Sequence, residues 1–306
     1  RGTRPYPWEL PPTPLPTEDH LDVFIGRLAQ EWINDCDNAE PFYLQVNFGG
    51  PHDPWDAPPE YRSLYNPDDM PLSIRDQRTG PLSSHVELLL KHAPNKLNKM
   101  GVAQNQLLKA NYYSKVTLID DCVGGILQTL EERNLLDNTW IVFSSDHGEM
   151  LGDHGLLAKK VFYEGAVKVP CLFRSPNGRG QGTAQALTCH LDIVATLIDI
   201  CGARPLQNSD GQSVLPILEG DSNHFQRTAV LSELGLPPSA FVMLRTSSHK
   251  LSADAKTREP IELYDLTEDP NELHNLVTHA DHVERRQQLL NEVLNPLLSS
   301  LDTRAW

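Results

Sequence analysis

Apolar and polar positions along this chain predict an alternation of helices and short strands. Apolar residues recur at every third or fourth position after Thr17, a predicted helix cap, and again from about Gln104. Short apolar runs, typical of buried strands, occur at 41–48, at 140–145 and from Val169. This order of elements favours an α/β fold with a largely parallel sheet. The predicted apolar faces comprise Leu21, Phe24, Ile25, Leu28 and Trp32 in the first helix, and Leu108, Tyr112, Val116, Ile119, Val123, Ile126 and Leu130 in the second.

Two other segments of the first 220 residues have a clear pattern. A helix from about Leu191 to Ile200 is expected to end at Gly202, because glycine often follows a helix C-terminus. Residues 54–81 are rich in Pro, Asp and Arg and predict a long surface loop, which is usually functional at that length. The Pro-rich opening, 1–16, predicts an extended surface segment.

The pattern changes after Gly220. Three short β-like runs with tight turns are followed by a predicted helix from roughly His282 to Leu298. We therefore expect two domains: an α/β core over residues 1–220 and a smaller α+β subdomain over residues 221–306.

Composition narrows the function classes. Asp and Glu number 41 against 26 Lys and Arg, so the formal charge of the 306 residues is −15, which argues against a nucleic-acid binder. The negative charge does not exclude an anionic substrate, because a bound cation and a few local Lys or His can make the electrostatic potential in a pocket positive. No apolar run approaches the ~20 residues of a membrane span, so we expect no membrane partner.

The five cysteines are odd in number and lack CxxC spacing, which predicts reduced thiols and not a disulfide scaffold. The sequence has no Asn-x-Ser/Thr sequon, which weakens a eukaryotic secretory origin. These features favour a soluble protein of a bacterial cytoplasm or periplasm. The chain opens with Arg1 and not with Met, so we expect it to be part of a longer protein.

Polar side chains follow two of the predicted strands. Asp146 and His147 come after the run 140–145, and His52 with Asp53 comes after the run 41–48. Ligands of open parallel sheets bind beyond the carboxyl ends of the strands, and a metal ion is the usual partner of a carboxylate beside an imidazole. Spacing alone leaves a second interpretation open, in which Asp146 caps a turn and His147 bonds to backbone.

The segment after Asp146 is rich in glycine and charge. Its three glycines predict a loop that bends sharply or approaches a ligand closely. By themselves, Lys159 and Lys160 are compatible with a solvated pair, and His52 with a structural or solvated loop residue. The remaining polar residues of the loop, Glu149, Asp153 and His154, fit either a supporting shell around a site or the surface.

Together these residues carry a family resemblance. The run SDHGEMLGDHGLLAKKVFYEGAVKVPCLFR closely resembles the metal-binding segment of the type I sulfatases, in the alkaline phosphatase superfamily. PFYLQVNFGGPHDPWDAP resembles the family's His-x-Pro segment, and DGQSVLPILEG and ELYDLTEDPNELHNL resemble later landmarks. The match spans nearly the whole chain in the family's order. It implies an alkaline-phosphatase-like, mostly parallel sheet flanked by helices.

The resemblance also implies roles for particular residues. Asp146 and His147 would bind a divalent cation, with calcium expected and manganese as the alternative. Lys159 would contact the sulfate, and His52 would contact the sulfate and help to protonate the leaving group. His154 is a further substrate-binding candidate, whereas Lys160 is expected at the surface.

Parts of the family pattern are missing. The sequence contains no Cys/Ser-x-Pro-x-Arg, the motif whose Cys or Ser becomes the formylglycine nucleophile. The Asp-Asp pair that follows the family's first strand and completes its metal site is missing as well, as is the Lys/His pair after the nucleophile. Asp120-Asp121 is not a substitute, because it lies within the predicted helix between Ile119 and Val123. We therefore expect this chain to be the C-terminal two-thirds of a sulfatase. The missing N-terminal segment would be a required partner, and the chain alone is expected to be inactive.

The main functional hypothesis is a sulfuric ester hydrolase that acts on a sulfated small molecule or glycan. A phosphonate monoester or phosphodiester hydrolase of the same fold is the alternative enzyme. A non-catalytic module that binds metal or sulfated glycan is the alternative outside enzymes. The loop from Trp55 to Arg78 and the C-terminal subdomain would shape the substrate pocket, and assembly as a homo-oligomer stays open.

Overall fold

The computed structural model describes residues 11–74, 78–92, 100–178, 181–221, 225–235 and 240–302. Residues 1–10 of the predicted opening segment lie outside this description. The chain forms two compact units, and the domain boundary at residue 220 stays a prediction. Unit 1 comprises Arg1–Ser73, Asn95–Ile141 and Arg174–Gly178, and unit 2 comprises Ile74–Pro94, Val142–Phe173 and Arg179–Trp306.

Two helices form the frame of unit 1. Helix α1 spans Leu21–Asp35, and the long α4 spans Val102–Glu132. They pack closely at Gly26, where an added Cβ would lie 3.0 Å from the Cβ of Cys122. The predicted loop after residue 54 contains regular turns, namely α2 (Pro59–Arg62) and the 3₁₀ turn Pro67–Asp69; other 3₁₀ turns are Thr17–Asp19, Leu136–Asn138 and Pro176–Gly178.

The predicted apolar face of α1 is the wrong face. The buried face carries Asp22, Gly26, Ala29 and Ile33. The small side chains at Gly26 and Ala29 let α1 approach α4, and the Asp22 carboxylate is paired with Lys115. Periodicity revealed an amphipathic helix but not the side on which close packing was available. The predicted positions Leu21, Phe24, Leu28 and Trp32 are 41–60% exposed.

The start of α1 and the packing of α4 also differ from the prediction. Thr17 lies in a preceding 3₁₀ turn, and His20 caps α1 by accepting a hydrogen bond from the N–H of Asp22 at its Nδ1, 3.2 Å away. In α4, Val116 is exposed, whereas Lys115 is buried. The helix buries polar side chains where they find hydrogen-bonding partners.

The predicted strands at 140–145 and from Val169 are present as β1 (Ile141–Ser144) and β2 (Cys171–Arg174), which form a two-stranded sheet. The predicted strand at 41–48 is wrong, because these residues form no strand in the part of the chain described here. Their side chains alternate between exposed and half-buried, as in extended backbone. A strand is defined by its pairing, which a run of apolar residues does not guarantee.

A four-stranded antiparallel sheet lies in unit 2, in the order β3-β4-β5-β6. Its strands are β3 (Ala229–Leu234), β4 (Phe241–Thr246), β5 (His249–Asp254) and β6 (Pro260–Asp265). Leu244 pairs with Leu251, and Leu251 pairs with Leu263, at the centre of an apolar core. The strand β6 was not predicted, although its residues Glu262–Asp265 lie in one of the family landmarks.

The predicted C-terminal helix is present but is not one uniform helix. It comprises α8 (Val283–Gln288), a π-helical segment (Leu289–Leu294) and α9 (Asn295–Asp302). Pro296, which has no N–H to donate to the preceding turn, explains why the regular pattern changes there. Leu289 and Leu294 bury their side chains in the core of the antiparallel sheet.

The remaining helices of unit 2 are α3 (Ser84–His92), α5 (Glu164–Val167), α6 (His190–Ile200) and α7 (Leu215–Leu218). Helix α6 ends as predicted, with Gly202 at a φ of 62° just beyond it. The five cysteines are free thiols. No helix of the described ranges is long and apolar enough to cross a membrane.

Candidate metal and anion site

Asp146 and His147 lie on the turn that follows β1. The Oδ2 of Asp146 lies 3.3 Å from Nε2 of His147, and the Asp146 side chain is 83% exposed. The other oxygen, Oδ1, accepts a hydrogen bond from the N–H of His147 at 2.9 Å, and Nδ1 of His147 lies 2.9 Å from the carbonyl of Gly148. The backbone contacts of the turn-cap interpretation are therefore present, together with a converging carboxylate and imidazole.

The hydrogen bond of His147 to Gly148 leaves its Nε2 facing Asp146, which is compatible with a cation at this pair. A carbonyl oxygen only accepts, so Nδ1 of His147 carries the proton and donates it to Gly148. If the ring is neutral, the lone pair of Nε2 faces Oδ2 of Asp146, and either a proton on Nε2 or a bound cation supplies the positive charge that these two acceptors, 3.3 Å apart, need between them. Adjacent ligands of a calcium ion, each ~2.4 Å from it, lie about 3.4 Å apart at right angles. The two side chains alone supply too few ligand atoms for such an ion, which binds about six or more ligands.

The backbone of this turn is fixed from several sides. The N–H of Gly148 donates to the carbonyl of Ala166 at 2.8 Å, and a Cβ at Gly148 would lie 2.1 Å from the carbonyl oxygen of Gly165. The Ser145 hydroxyl donates to the carbonyl of His147 at 2.9 Å. This close packing explains the glycine after the Asp-His pair.

His190 is a neighbour of the site that the sequence analysis missed. This exposed residue opens α6, and its Nε2 donates a hydrogen bond to the carbonyl of Ser145 at 2.8 Å. It thus supports the backbone directly before Asp146. The 45 positions between the two residues leave no local signal from which their contact could have been predicted.

The glycine-rich loop, residues 148–160 of unit 2, folds back on itself, so that its end with Lys159 and Lys160 lies near its start. Its left-handed positions include Gly152 and Gly155, at φ values of 92° and 72°. The N–H of Met150 donates to the carbonyl of Ala158 at 3.0 Å, and this contact closes the loop. The Lys160 carbonyl accepts a hydrogen bond from Nε2 of His85 at 2.5 Å, and the Lys160 side chain is exposed. Lys159 is half-buried.

His154 lies inside unit 2. It is 3% exposed, and its ring stacks on Tyr163 with centroids 4.0 Å apart and planes 4° apart. The backbone N–H of His154 donates a hydrogen bond to the carbonyl of Ile74 at 2.8 Å. Burial raises the pKa of Tyr163 to about 12, so the phenol stays neutral beside the ring. This packing is typical of a structural residue, and the substrate contact suggested for His154 stays a prediction.

A buried ion network supports the segment after Lys159. Lys250 lies 2.8 Å from Glu164 and 2.6 Å from Glu272, and it donates to the carbonyl of Phe162 at 2.7 Å. Burial alone would raise the pKa of Glu164, but Lys250 and Arg245 outweigh it and lower that pKa. Burial raises the pKa of Glu272 in spite of the neighbouring lysine. No local sequence pattern predicted this network.

His52 lies in unit 1, on the turn after the extended run 41–48. Its side chain is 52% exposed, and its Nδ1 lies 2.8 Å from the carbonyl of Asp53 and 3.0 Å from the Asp53 carboxylate. The Trp55 indole donates to the carbonyl of Pro51 at 2.9 Å and holds the turn in place. The predicted common cleft of His52 and Asp146 stays a prediction.

The ranges that the structure describes contain no group of three or more His, Cys, Asp or Glu residues able to hold a metal ion. The metal site predicted at Asp146 and His147 therefore stays a prediction, supported by the spacing of these two side chains.

Two family models match the chain. The model described as "Sulfatase" matches residues 3–203, and the model described as "N-sulphoglucosamine sulphohydrolase, C-terminal" matches residues 152–298. A phosphonate monoester hydrolase of Silicibacter pomeroyi superposes with a TM-score of 0.83 at 23% identity, over 99% of this chain and 67% of that one. This similarity confirms the predicted alkaline-phosphatase-like α/β fold.

Curated relatives agree with the family models. A choline-sulfatase of Rhizobium meliloti is 31% identical over 82% of this chain and 49% of its own length. An N-acetylglucosamine-6-sulfatase of Bos taurus is 26% identical over 86% of this chain and 53% of its own length. The chain thus spans about half the length of these relatives. With the Asp-His turn inside the longer matched model, the chain belongs to the sulfatase family.

Proposed function

We propose that this chain carries the cation-binding and anion-binding part of a sulfuric ester hydrolase. The observation that carries the proposal is the Asp146–His147 pair, in which a carboxylate oxygen and an imidazole nitrogen lie 3.3 Å apart, the spacing of adjacent ligands of a cation. Family membership supplies the reaction class, a hydrolysis of sulfate esters. Because the chain spans about half of its relatives, we propose this activity for a protein that also contains the remaining site residues.

Asp146 and His147 are the proposed ligands of a divalent cation. Calcium is the proposed ion, with manganese as the alternative. Such an ion, when bound, supplies positive charge that stabilises negative charge on the sulfate oxygens. The Gly148 carbonyl holds His147 in the tautomer that presents Nε2, which is the usual task of a residue behind a metal ligand.

Lys159 is the proposed sulfate contact in the same loop. The equatorial oxygens of a sulfate ester gain charge when an oxygen nucleophile attacks, and a fixed ammonium donor stabilises that charge. The Ala158 N–H donates to the Glu149 carboxylate, so the backbone directly before Lys159 is held. The exposed Lys160 contributes its carbonyl to the His85 contact, and we assign its side chain no role in catalysis.

His52 is the proposed donor to the leaving group. The departing alkoxide needs a proton, and an imidazole supplies one near neutral pH. The contacts of Nδ1 with Asp53 orient the ring. The substrate contact of His154 stays a prediction without a role in this proposal, because its ring is buried and stacked on Tyr163.

The nucleophile is proposed to lie outside this chain. The 306 residues contain no Cys/Ser-x-Pro-x-Arg, and formylglycine formed at such a motif would supply the attacking oxygen in a complete enzyme. The proposed substrate is a sulfated small molecule or glycan, in keeping with the names of the relatives. The loop from Trp55 to Arg78 is proposed to help select it.

The test compares this chain with a longer form that carries a Cys-x-Pro-x-Arg segment ahead of it. We expect the longer form, matured to formylglycine, to hydrolyse 4-nitrophenyl sulfate in the presence of Ca²⁺ or Mn²⁺. The chain alone should be inactive. In the longer form, Asp146→Ala should abolish the turnover that depends on the added metal ion. Metal-dependent turnover by the chain alone would contradict the proposed division of the site.

A phosphonate monoester hydrolase is the competing function. The superposition with the Silicibacter pomeroyi enzyme is the observation that favours this function, although the similarity establishes only the fold. Faster turnover of a 4-nitrophenyl phosphonate than of the sulfate by the longer form would favour it. Metal binding without turnover of either ester would favour a binding module.

A further inference from the structure

A cluster of buried charged and polar side chains lies between α1 and α4, where the proposed function uses none of them. Lys115 is 5% exposed, His20 is 4% exposed and Asp22 is 1% exposed. The Lys115 Nζ lies 3.2 Å from Oδ2 of Asp22 and 3.2 Å from Nε2 of His20. Asp56 faces the same ammonium at 3.6 Å.

Burying an ion pair is costly, and apolar side chains of similar volume commonly stabilise a fold as well or better. The cluster therefore calls for a role beyond stability. Asp22 indicates one, because it also reaches the turn that bears His52: Oδ1 accepts a hydrogen bond from the N–H of Gly50 at 2.9 Å.

Gly50 fits the cluster closely. A Cβ at this position would lie 2.7 Å from Oδ2 of Asp22 and 3.1 Å from Cε of Lys115. The backbone of the turn thus lies directly against the ion pair, and the close approach requires a glycine. Lys115 in turn compensates the charge of the Asp22 carboxylate, so this acceptor for Gly50 is tolerated in the interior.

The other end of the turn is held as well. Trp55 is 2% exposed, donates its indole N–H to the carbonyl of Pro51 at 2.9 Å, and packs edge-on against Tyr112 of α4. His52 lies between these two anchors, with half of its side chain exposed. Rigid backbone beneath an exposed imidazole is what a proton donor with a fixed direction requires.

We propose that Asp22, whose buried charge Lys115 compensates, is a positioning residue that fixes the His52 turn through its hydrogen bond to Gly50. The inference rests on the proposed role of His52 in sulfate ester hydrolysis. It assigns Asp22 no contact with substrate.

Two double variants separate the hydrogen bond from the charges. Asp22→Asn/Lys115→Met removes both charges but keeps an acceptor oxygen for Gly50, whereas Asp22→Leu/Lys115→Met removes the acceptor as well. Neither leaves a fully buried charge uncompensated, because Asp56, the carboxylate that loses Lys115 in both, has a side chain that is 31% exposed. Asp121→Asn is the matched control, because it changes a carboxylate of α4 that accepts from the Tyr61 hydroxyl and not from the turn.

The first readout needs no activity. In the 306-residue chain, NMR would follow the hydrogen exchange of the Gly50 amide and the imidazole signals of His52. We expect the Leu/Met variant to exchange at least about tenfold faster at Gly50, as for the loss of one buried hydrogen bond, with shifted or broadened His52 signals. The Asn/Met variant and the control should resemble the parent.

The second readout is turnover of 4-nitrophenyl sulfate by the longer, formylglycine-bearing form. We expect kcat to fall in the Leu/Met variant with little change in KM, and the Asn/Met variant to restore it. If His52→Ala leaves turnover unchanged, the proposed role of His52 fails, while the exchange data still test the anchoring.

Unchanged Gly50 exchange and His52 signals in a folded Leu/Met variant would overturn the proposal. If that variant does not fold, the Asn/Met variant decides: parent-like signals support the proposal, and lost protection at Gly50 overturns it.

Discussion

Replacing Lys250 by methionine tests the ion network behind the proposed sulfate-binding loop. The Lys250 side chain is 2% exposed, and its ammonium contacts both Glu272 and Glu164 as well as the carbonyl of Phe162. Methionine has a similar length and packs well in apolar surroundings, but it cannot compensate these carboxylates. Glu272, at 3% side-chain exposure, would then have lost its cation in the interior.

The expected loss follows from the burial of both partners. Removing one member of a buried ion pair costs about 3–5 kcal/mol, because the remaining charge stays uncompensated. Burial already raises the pKa of Glu272, and loss of Lys250 should raise it further. The protonated carboxyl is the form that the interior tolerates, so the destabilisation should shrink as the pH is lowered.

Urea denaturation followed by circular dichroism would give the free energy of unfolding at pH 7 and at a lower pH. Lys256→Met is the matched control, because Lys256 is exposed on the turn after β5. We expect the control to change stability by less than about 0.5 kcal/mol. The double variant Lys250→Met/Glu272→Gln should recover part of the loss, because a neutral amide replaces the uncompensated carboxylate.

Three outcomes would refute this reasoning. A loss of less than about 1 kcal/mol would mean that water reaches the network, as it does at exposed ion pairs. A loss that does not depend on pH would mean that Glu272 is not the source of the cost. A double variant no more stable than Lys250→Met would lead to the same conclusion.

Further predictions concern pH, metal binding and catalysis. Burial and a neighbouring lysine lower the pKa of His20, so the unfolded chain binds a proton first as the pH falls below about 6.5 and stability declines. His20→Gln should therefore flatten the pH dependence of the melting temperature between pH 7 and 5, although not fully, since burial also lowers the pKa of His249. His190→Ala should weaken Mn²⁺ binding to the 306-residue chain, measured by electron paramagnetic resonance, by roughly tenfold as for other residues behind a metal ligand; His190→Gln, which keeps a donor, should restore it, and equal loss in both would contradict the positioning role. In the longer form, Lys159→Ala should lower turnover roughly 10²-fold and Lys160→Ala should leave it near the parent value, whereas the reverse would shift the proposed anion contact by one residue.

Local sequence determined the elements whose signals lie within one segment. The apolar run before Asp146 predicted a strand, and the closely spaced glycines predicted the sharp loop that follows it. Both features result from local backbone requirements, burial of a strand and left-handed φ values, which neighbouring residues reveal. The helix α4, the end of α6 at Gly202 and three strands of the C-terminal sheet were predictable for the same reason.

The tertiary structure decided which face of each helix is buried and which distant groups support the site. Periodicity favoured Phe24 and Leu28 of α1, yet Asp22 is buried because Lys115 and the Gly50 amide satisfy it. His190 and Lys250 gained their roles from partners 45 and 88 positions away in the chain. A polar side chain is stable in the interior only with a partner, and sequence alone does not identify a partner brought near by folding.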